Sequence, residues 1–168
     1  MMVKSRIFQT ILLTIYVSGL FSKLGSDLTN LISWHAATGF FFFLTVNSVF
    51  ISMTPVALVF PLERTVFLKE EGAKLYDVSS YFLSRNTVEI PYALIFPALQ
   101  SLIFYWFVGL SSTPGQFFTF YLVILLMNFS GMSLGLLVGS VVKDARSVSI
   151  TMIAFVLPFM LFSGFFKN

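Results

Sequence analysis

Ten basic and seven acidic side chains carry the charge of this 168-residue chain, and they are not spread evenly. Glu63, Arg64, Lys69, Glu70, Glu71, Lys74, Asp77, Arg85 and Glu89 crowd into one segment, Leu62–Glu89, with both signs interspersed. Glu70 and Lys74 stand four apart in the favourable order for a helical ion pair, although Gly72 between them weakens a helix. Val66, Phe67 and Leu75 alternate with the charges, so the segment can lie along an interface, dock on a partner, or form a solvated loop. His35 is the one imidazole and sits beside Trp34, a pairing ordinary at a membrane interface. Asn47 lies inside an apolar run, where an amide must face protein or a cavity. Interhelical hydrogen bonding and ligand contact remain equal readings for it.

Most other chemistry is missing. The chain has no cysteine, no Gly-x-x-x-x-Gly-Lys-Ser/Thr phosphate loop, no His-x-x-x-His pair and no Gly-x-Ser-x-Gly. No catalytic residue, metal site or cofactor site is expected in it, and the chain itself is not expected to be an enzyme. Asn128-Phe129-Ser130 matches a glycosylation sequon but lies in an apolar stretch that glycosylating enzymes do not reach.

The elements that position these residues follow from the charge gaps. Hydrophobic residues make up 57% of the chain and charged ones 10%, against about 25% charged in soluble domains. Soluble enzymes, nucleic-acid binders and disordered regulators are excluded on that ground. No charge occurs between Arg6 and Lys23, Asp27 and Glu63, Glu89 and Lys143, or Arg146 and Lys167. A helix needs about 20 apolar residues to cross a bilayer. The gaps therefore give an all-α, polytopic bundle of about five spans, near 7–21, 36–60, 90–110, 117–142 and 148–166. Ser111-Ser112-Thr113-Pro114-Gly115 is the turn that divides the longest gap.

Counting Lys and Arg in the loops orients the bundle. A cytoplasmic N-terminus puts eight of them inside, leaves only Lys23 and Lys167 outside, and makes the C-terminus external. The net charge of +3 is thus mostly an orientation device. Gly131, Gly135 and Gly139 recur every four residues and predict a smooth face for close helix packing. Pro97 and Pro158 fall inside spans, where each frees a carbonyl and bends the helix. A channel finds no support in a charged ring or filter-like loop.

Several runs then carry a resemblance: Asn47-Ser48-Val49-Phe50, Phe60-Pro61-Leu62-Glu63-Arg64-Thr65-Val66-Phe67-Leu68-Lys69-Glu70, Tyr76-Asp77-Val78-Ser79-Ser80-Tyr81-Phe82, Glu89-Ile90-Pro91, and Phe162-Ser163-Gly164-Phe165-Phe166-Lys167-Asn168. In order and spacing they resemble the transmembrane half of ABC transporters of the G subfamily, the white/scarlet and multidrug- or sterol-exporter group. The resemblance implies an integral multi-pass protein of the plasma membrane or an endomembrane that works as a homo- or heterodimer of half-transporters. It implies a nucleotide-binding domain as partner, with ATP and Mg entering only through that domain, and a hydrophobic small molecule as substrate. It makes Leu62–Glu71 the cytoplasmic contact with that domain, and Glu63, Arg64, Glu70, Arg85 and Glu89 a polar network. Asn47 and Phe50 match substrate-cavity positions on the second span, and Leu157 and Met160 match those on the fifth. Phe165 and Phe166 occupy the place of a hydrophobic valve. The implied function is the membrane part of an ATP-driven exporter of lipids, sterols or other hydrophobic molecules. The nucleotide-binding domain and a sixth span are not in these 168 residues, so the chain is expected to be a fragment, a split product or a degenerate copy. The alternative function is a non-transporting membrane subunit that dimerises with a full-length relative.

Overall fold

The computed structural model describes residues 2–21, 31–109, 114–142 and 144–163. Five helices account for nearly all of them: α1 (Met2–Leu20), α2 (Leu31–Gly72), α3 (Val78–Val108), α4 (Pro114–Val141) and α5 (Ala145–Phe162). No strand occurs among the described residues. Hydrocarbon offers no partner to a free N–H or C=O, so an apolar segment in lipid must satisfy its backbone internally, as a helix does. Four stretches are long and apolar enough to cross a membrane: Trp34–Arg64, Val78–Val108, Pro114–Val141 and Ala145–Phe162. The apolar part of α1, Ile7–Leu20, is shorter than these. The protein is therefore an integral, multi-pass membrane protein.

Two helices run well beyond the spans that the charge gaps delimit. At about 1.5 Å per residue, the 42 residues of α2 reach about 63 Å, roughly twice the hydrocarbon thickness. Pro55 and Pro61 both lie inside it. Each costs one backbone bond, but flanking helix on both sides keeps the element continuous. Leu62–Gly72 is thus helical and not a loop. Similarly α3 starts at Val78, a dozen residues before the apolar stretch that opens at Ile90. Pro97 is buried within α3 and Pro158 lies inside α5, and both helices run on through them.

Many hydroxyl side chains in these helices are satisfied locally. Thr14 Oγ1 donates to the Thr10 carbonyl at 2.6 Å, Thr54 Oγ1 to Phe50 at 2.7 Å and Thr45 Oγ1 to Phe41 at 2.8 Å. Bonding back to the preceding turn lets serine and threonine sit in an apolar helix without a partner elsewhere.

The chain packs as two compact units. Residues 1–48 and 94–127 form the first, around Val17, Phe40, Leu44, Phe104, Val108 and Ile124. Phe40 is its hub, with the Phe104 ring edge-on at 5.4 Å and Phe21 at 5.5 Å. Residues 49–93 and 128–168 form the second, whose core joins Met53 and Ala57 of α2 to Val138 of α4 and Val148, Met152 and Val156 of α5.

In the second unit the glycine face is a helix contact. Gly131, Gly135 and Gly139 are all buried, and a methyl group added to each would meet α2. At Gly135 it would stand 2.7 Å from the Met53 carbonyl oxygen, and at Gly131 2.8 Å from that of Val49. At Gly139 it would meet Phe60 Cβ at 2.9 Å and the Ala57 carbonyl at 3.1 Å. Three successive turns of α4 therefore lie against α2 backbone, an approach that any side chain would prevent. Gly39 of α2 differs, because nothing lies within 4 Å of its added methyl.

The pair gives a test. Gly135→Ala must displace backbone and should destabilise the fold by about 1–3 kcal/mol. Gly39→Ala should be neutral or stabilise by up to about 1 kcal/mol, since alanine loses less backbone freedom in a helix. Thermal unfolding in detergent compares the two, and equal midpoints would refute a tight α2–α4 seam.

Candidate functional site

The charged segment becomes a helical hairpin. α2 ends at Gly72, where the sequence weakens it, and the chain reverses over residues 73–77 before α3 begins. Lys74 takes φ 55°, Leu75 N–H bonds back to the Glu70 carbonyl at 3.2 Å, and Lys74 N–H to that of Glu71 at 2.8 Å. Those two bonds, with a left-handed residue between helix and exit, are the Schellman closure of a helix end. Asp77 opens α3, with its carbonyl accepting from Ser80 and Tyr81 N–H. The expected Glu70–Lys74 helix pair is therefore not made: Lys74 lies past the helix end, so the spacing of four no longer places it above Glu70.

Across this turn the hairpin is fastened by side chains from one face of each helix. On α2 the face is Glu63, Phe67 and Glu70, spaced four and three; on α3 it is Tyr81, Arg85 and Glu89, spaced four and four. Tyr81 donates its phenolic O–H to Glu63 Oε2 at 2.9 Å, while Arg85 Nη1 donates to Glu63 Oε1 at 3.3 Å. The other arm of the guanidinium reaches Glu89 Oε1 at 3.5 Å. One arginine thus bridges a carboxylate on each helix. Nearer the turn, Tyr76 donates to Glu70 Oε2 at 2.5 Å. The Phe67 ring packs on Tyr81 at 4.6 Å and lies 6.3 Å from Tyr76, and the two tyrosine rings stack at 6.2 Å with 11° between planes.

The contacts differ in weight. The Arg85–Glu63 pair is partly solvated, and such pairs are worth about 0–1 kcal/mol. Glu89 is only 8% exposed, so its charge relies on partners, and stranding a buried ion costs about 3–5 kcal/mol. At Tyr76, the hydrogen bond to Glu70, with desolvation and the carboxylate's charge, pushes the phenol up to about 12.

Of the predicted network, the structure brings Glu63, Arg85 and Glu89 together and ties Glu70 in through Tyr76. Arg64 is half-buried and joins no ion pair among the described residues. Phe67, Tyr76 and Tyr81 are members that sequence reasoning missed. Helical spacing from Glu63 and Arg85 could have found the first and third, whereas Tyr76 sits in a turn that has no periodicity. Among the predicted cavity positions, Asn47 is half-buried on α2, and Phe50 and Met160 are partly buried against the core of the second unit. Leu157 is exposed on α5. Phe165 and Phe166 lie outside the described residues. His35 and Trp34 are exposed, and no cluster of metal-binding side chains occurs among the described residues. Asn128 is buried in α4, out of reach of glycosylation.

Known proteins resemble this chain in sequence. The family profile described as ABC-2 type transporter matches residues 1–168. ABC transporter G family member 22 of Arabidopsis thaliana is 33% identical over 84% of this chain, which is 19% of that protein. Protein white of Drosophila melanogaster is 31% identical over the whole chain and 24% of its own length. A probable ATP-dependent permease of Saccharomyces cerevisiae is 31% identical over 95% of the chain and 15% of its own. The chain thus spans about a quarter or less of the relatives it matches. It belongs to the ABC-2 type transporter family, as a transmembrane domain of the G type.

The phenol offers a direct check on the clasp. Because Tyr76 ionises near 12 in the fold against 10.0 ordinarily, its bond to Glu70 is at full strength below pH 10. That contribution is lost as pH rises from 10 towards 12. The phenolate absorbance of the chain minus that of Tyr76→Phe should titrate near 12, and Glu70→Gln should return it towards 10. A difference curve centred at 10 in both backgrounds would remove the bond.

Proposed function

We propose that this membrane domain is the translocating part of an ATP-driven exporter of hydrophobic small molecules, such as lipids, sterols or flat drugs. The α2–α3 hairpin is its transmission element. The observation that carries this reading is the clasp itself, six polar side chains and the Phe67 ring fastening two helices that are otherwise charge-free for most of their length. A device of that kind has no surface use in a passive anchor, but it suits a lever that must move as one piece.

In this reading a nucleotide-binding domain, carried by the same protein or a partner, binds ATP and Mg and pushes on Leu62–Glu71. The exposed Leu62, Val66 and Leu68 of α2, interleaved with charge, suit such a docking face. Two half-transporters face each other across a cavity to which Asn47, Phe50, Leu157 and Met160 contribute. Phe165 and Phe166 act as a valve above it. The family membership supports transport across a membrane, and the nearly charge-free, phenylalanine-rich spans support apolar cargo.

The roles separate experimentally in the protein assembled with its nucleotide-binding domain. Glu89→Gln should lower substrate-stimulated ATP hydrolysis and transport roughly tenfold, the scale of a 1.4 kcal/mol change in coupling, with substrate binding little altered. Asn47→Ala should weaken binding and leave basal hydrolysis near normal, because only a cavity residue contacts the ligand. Lost binding in a well-folded Glu89→Gln together with intact binding in Asn47→Ala would reverse the assignment.

Orientation is tested separately. The absence of cysteine in the chain permits single-cysteine labelling without further substitution. Gly115→Cys should react with an impermeant thiol reagent from outside intact cells, and Lys69→Cys only after permeabilisation; both positions are exposed. The opposite pattern would place the clasp outside and end the transmission reading.

A further inference from the structure

α3 is fastened towards both of its ends and interrupted between them. Tyr81 and Arg85 tie its first half to Glu63 of α2. Phe104 and Val108, both buried, set its last turns into the core of the first unit. Between these anchors lie Pro91 and Pro97. Pro91 is exposed, whereas Pro97 is buried, in a stretch with no charged residue between Glu89 and Lys143. A proline has no N–H to give the carbonyl four residues back, and its ring crowds that carbonyl. For Pro97 this is the carbonyl of Ala93, itself a buried residue.

Side chains engage the backbone on either side of this proline. The Tyr121 hydroxyl of α4 donates to the Leu94 carbonyl at 3.4 Å, and both residues belong to the first unit. Ser101 Oγ donates to the Ala98 carbonyl at 3.0 Å, a back-bonding that favours a bend. In hydrocarbon a phenol must find an acceptor, and a carbonyl in a regular helix is already taken by the N–H four residues on. A proline loosens that ladder, and a neighbouring helix can then satisfy its carbonyls. At 3.4 Å the bond is longer than the usual O–H···O range of about 2.5–3.0 Å, so little is lost on breaking it. Pro55 of α2 differs, because Thr54 beside it turns back to Phe50 of its own helix at 2.7 Å. The core clusters also leave α3 free at this point. The first takes Phe104 and Val108 from α3, both beyond Pro97, and the second is built from α2, α4 and α5. Flexing near Pro97 therefore removes no member from either cluster.

We propose that Pro97 is a hinge in α3 and that Tyr121 is its latch. With the phenol on the Leu94 carbonyl, residues 93–101 are held in one shape. With the phenol released they flex, while the clasp and the Phe104 end of the helix keep their own contacts. Tyr121 acts through the backbone of α3 and is a positioning residue. Two properties separate a latch from a bond that only adds stability. Its effect is confined to residues 93–101, and it depends on the proline. The device needs neither nucleotide nor cargo, so it stands independently of the exporter reading.

The test uses the full chain in phosphatidylcholine nanodiscs. Leu83→Cys and Leu102→Cys, both at exposed positions of α3, carry nitroxides on either side of Pro97, about 28 Å apart along the helix at 1.5 Å per residue. Their dipolar distance distribution should widen when Tyr121→Phe is added and narrow when Pro97→Ala restores the missing N–H. With Pro97→Ala in place, Tyr121→Phe should widen it no further, which is the non-additivity of a coupled pair. Amide hydrogen exchange in Tyr121→Phe should rise about three- to tenfold over residues 93–101, the scale of one hydrogen bond, and stay unchanged over residues 81–89. An unchanged distance distribution in Tyr121→Phe would overturn the latch, as would equal widening with and without Pro97. If Pro97→Ala loses its helical circular dichroism, exchange in Tyr121→Phe decides alone. Acceleration confined to residues 93–101 then upholds the latch, and acceleration spread along α3 and α4, or none, removes it.

Discussion

A hydrocarbon interior offers no hydrogen-bond partner, and the rest of this structure follows from that. Every backbone group within the apolar stretches must be satisfied inside the chain, which leaves helices as the available solution for segments of this composition. The same demand reaches the side chains. Thr14, Thr45 and Thr54 turn their hydroxyls back to the preceding turn. Buried Glu89 is held to Arg85 at the end of α3 that carries the charge. Charges cannot be tolerated along the spans, so they collect where α2 and α3 meet, and collection makes pairing possible. The polar clasp is in this sense a by-product of exclusion from lipid, shaped afterwards by which residues face one another.

Within lipid, apolar side chains gain little by leaving hydrocarbon for one another, so close packing must come from shape. The glycine seam provides it. Removing three side chains from α4 lets it rest close to the backbone of Val49, Met53 and Ala57, where dispersion contacts accumulate. An added methyl there meets carbonyl oxygen, which cannot rotate away as a side-chain tip can. A partly solvated ion pair such as Arg85–Glu63 contributes less than the seam would lose from one such methyl. Stability in the second unit therefore rests on the seam and core, and the exposed part of the clasp contributes geometry more than energy.

Much of this was legible in the chain itself, because lipid imposes simple rules. Long gaps between charges located the helices, and Gly131, Gly135 and Gly139 at intervals of four announced a contact face before its partner was known. What escaped were features set by continuity and turn geometry. Pro61 and the charges after it read as the end of a helix, yet α2 continues to Gly72, since Glu63 to Glu71 remain good helix formers once outside hydrocarbon. Glu70 and Lys74 had the right spacing for a pair, but the left-handed turn at Lys74 carries that side chain off the helix. Tyr76 then takes the carboxylate instead. No pattern of periods reveals such an exchange, because it depends on where the chain reverses. The bond from Tyr121 to Leu94 was invisible for a similar reason: the two are 27 residues apart in sequence and become neighbours only through packing.

The clasp's arrangement also bears on how it can behave as a mechanical part. A single contact between two helices is a pivot, about which one can still turn. Here α2 and α3 are joined at three levels: Glu70 with Tyr76, Phe67 with both tyrosines, and Glu63 with Tyr81 and Arg85. Three levels on one face resist rotation and sliding together. The pairs are not equivalent when the helices part. Arg85 and Glu89 both lie on α3, so opening the hairpin leaves that ion pair intact and breaks the partly solvated contacts to Glu63. Each of those costs little alone, so it is the three levels acting together that keep the two helices moving as one body.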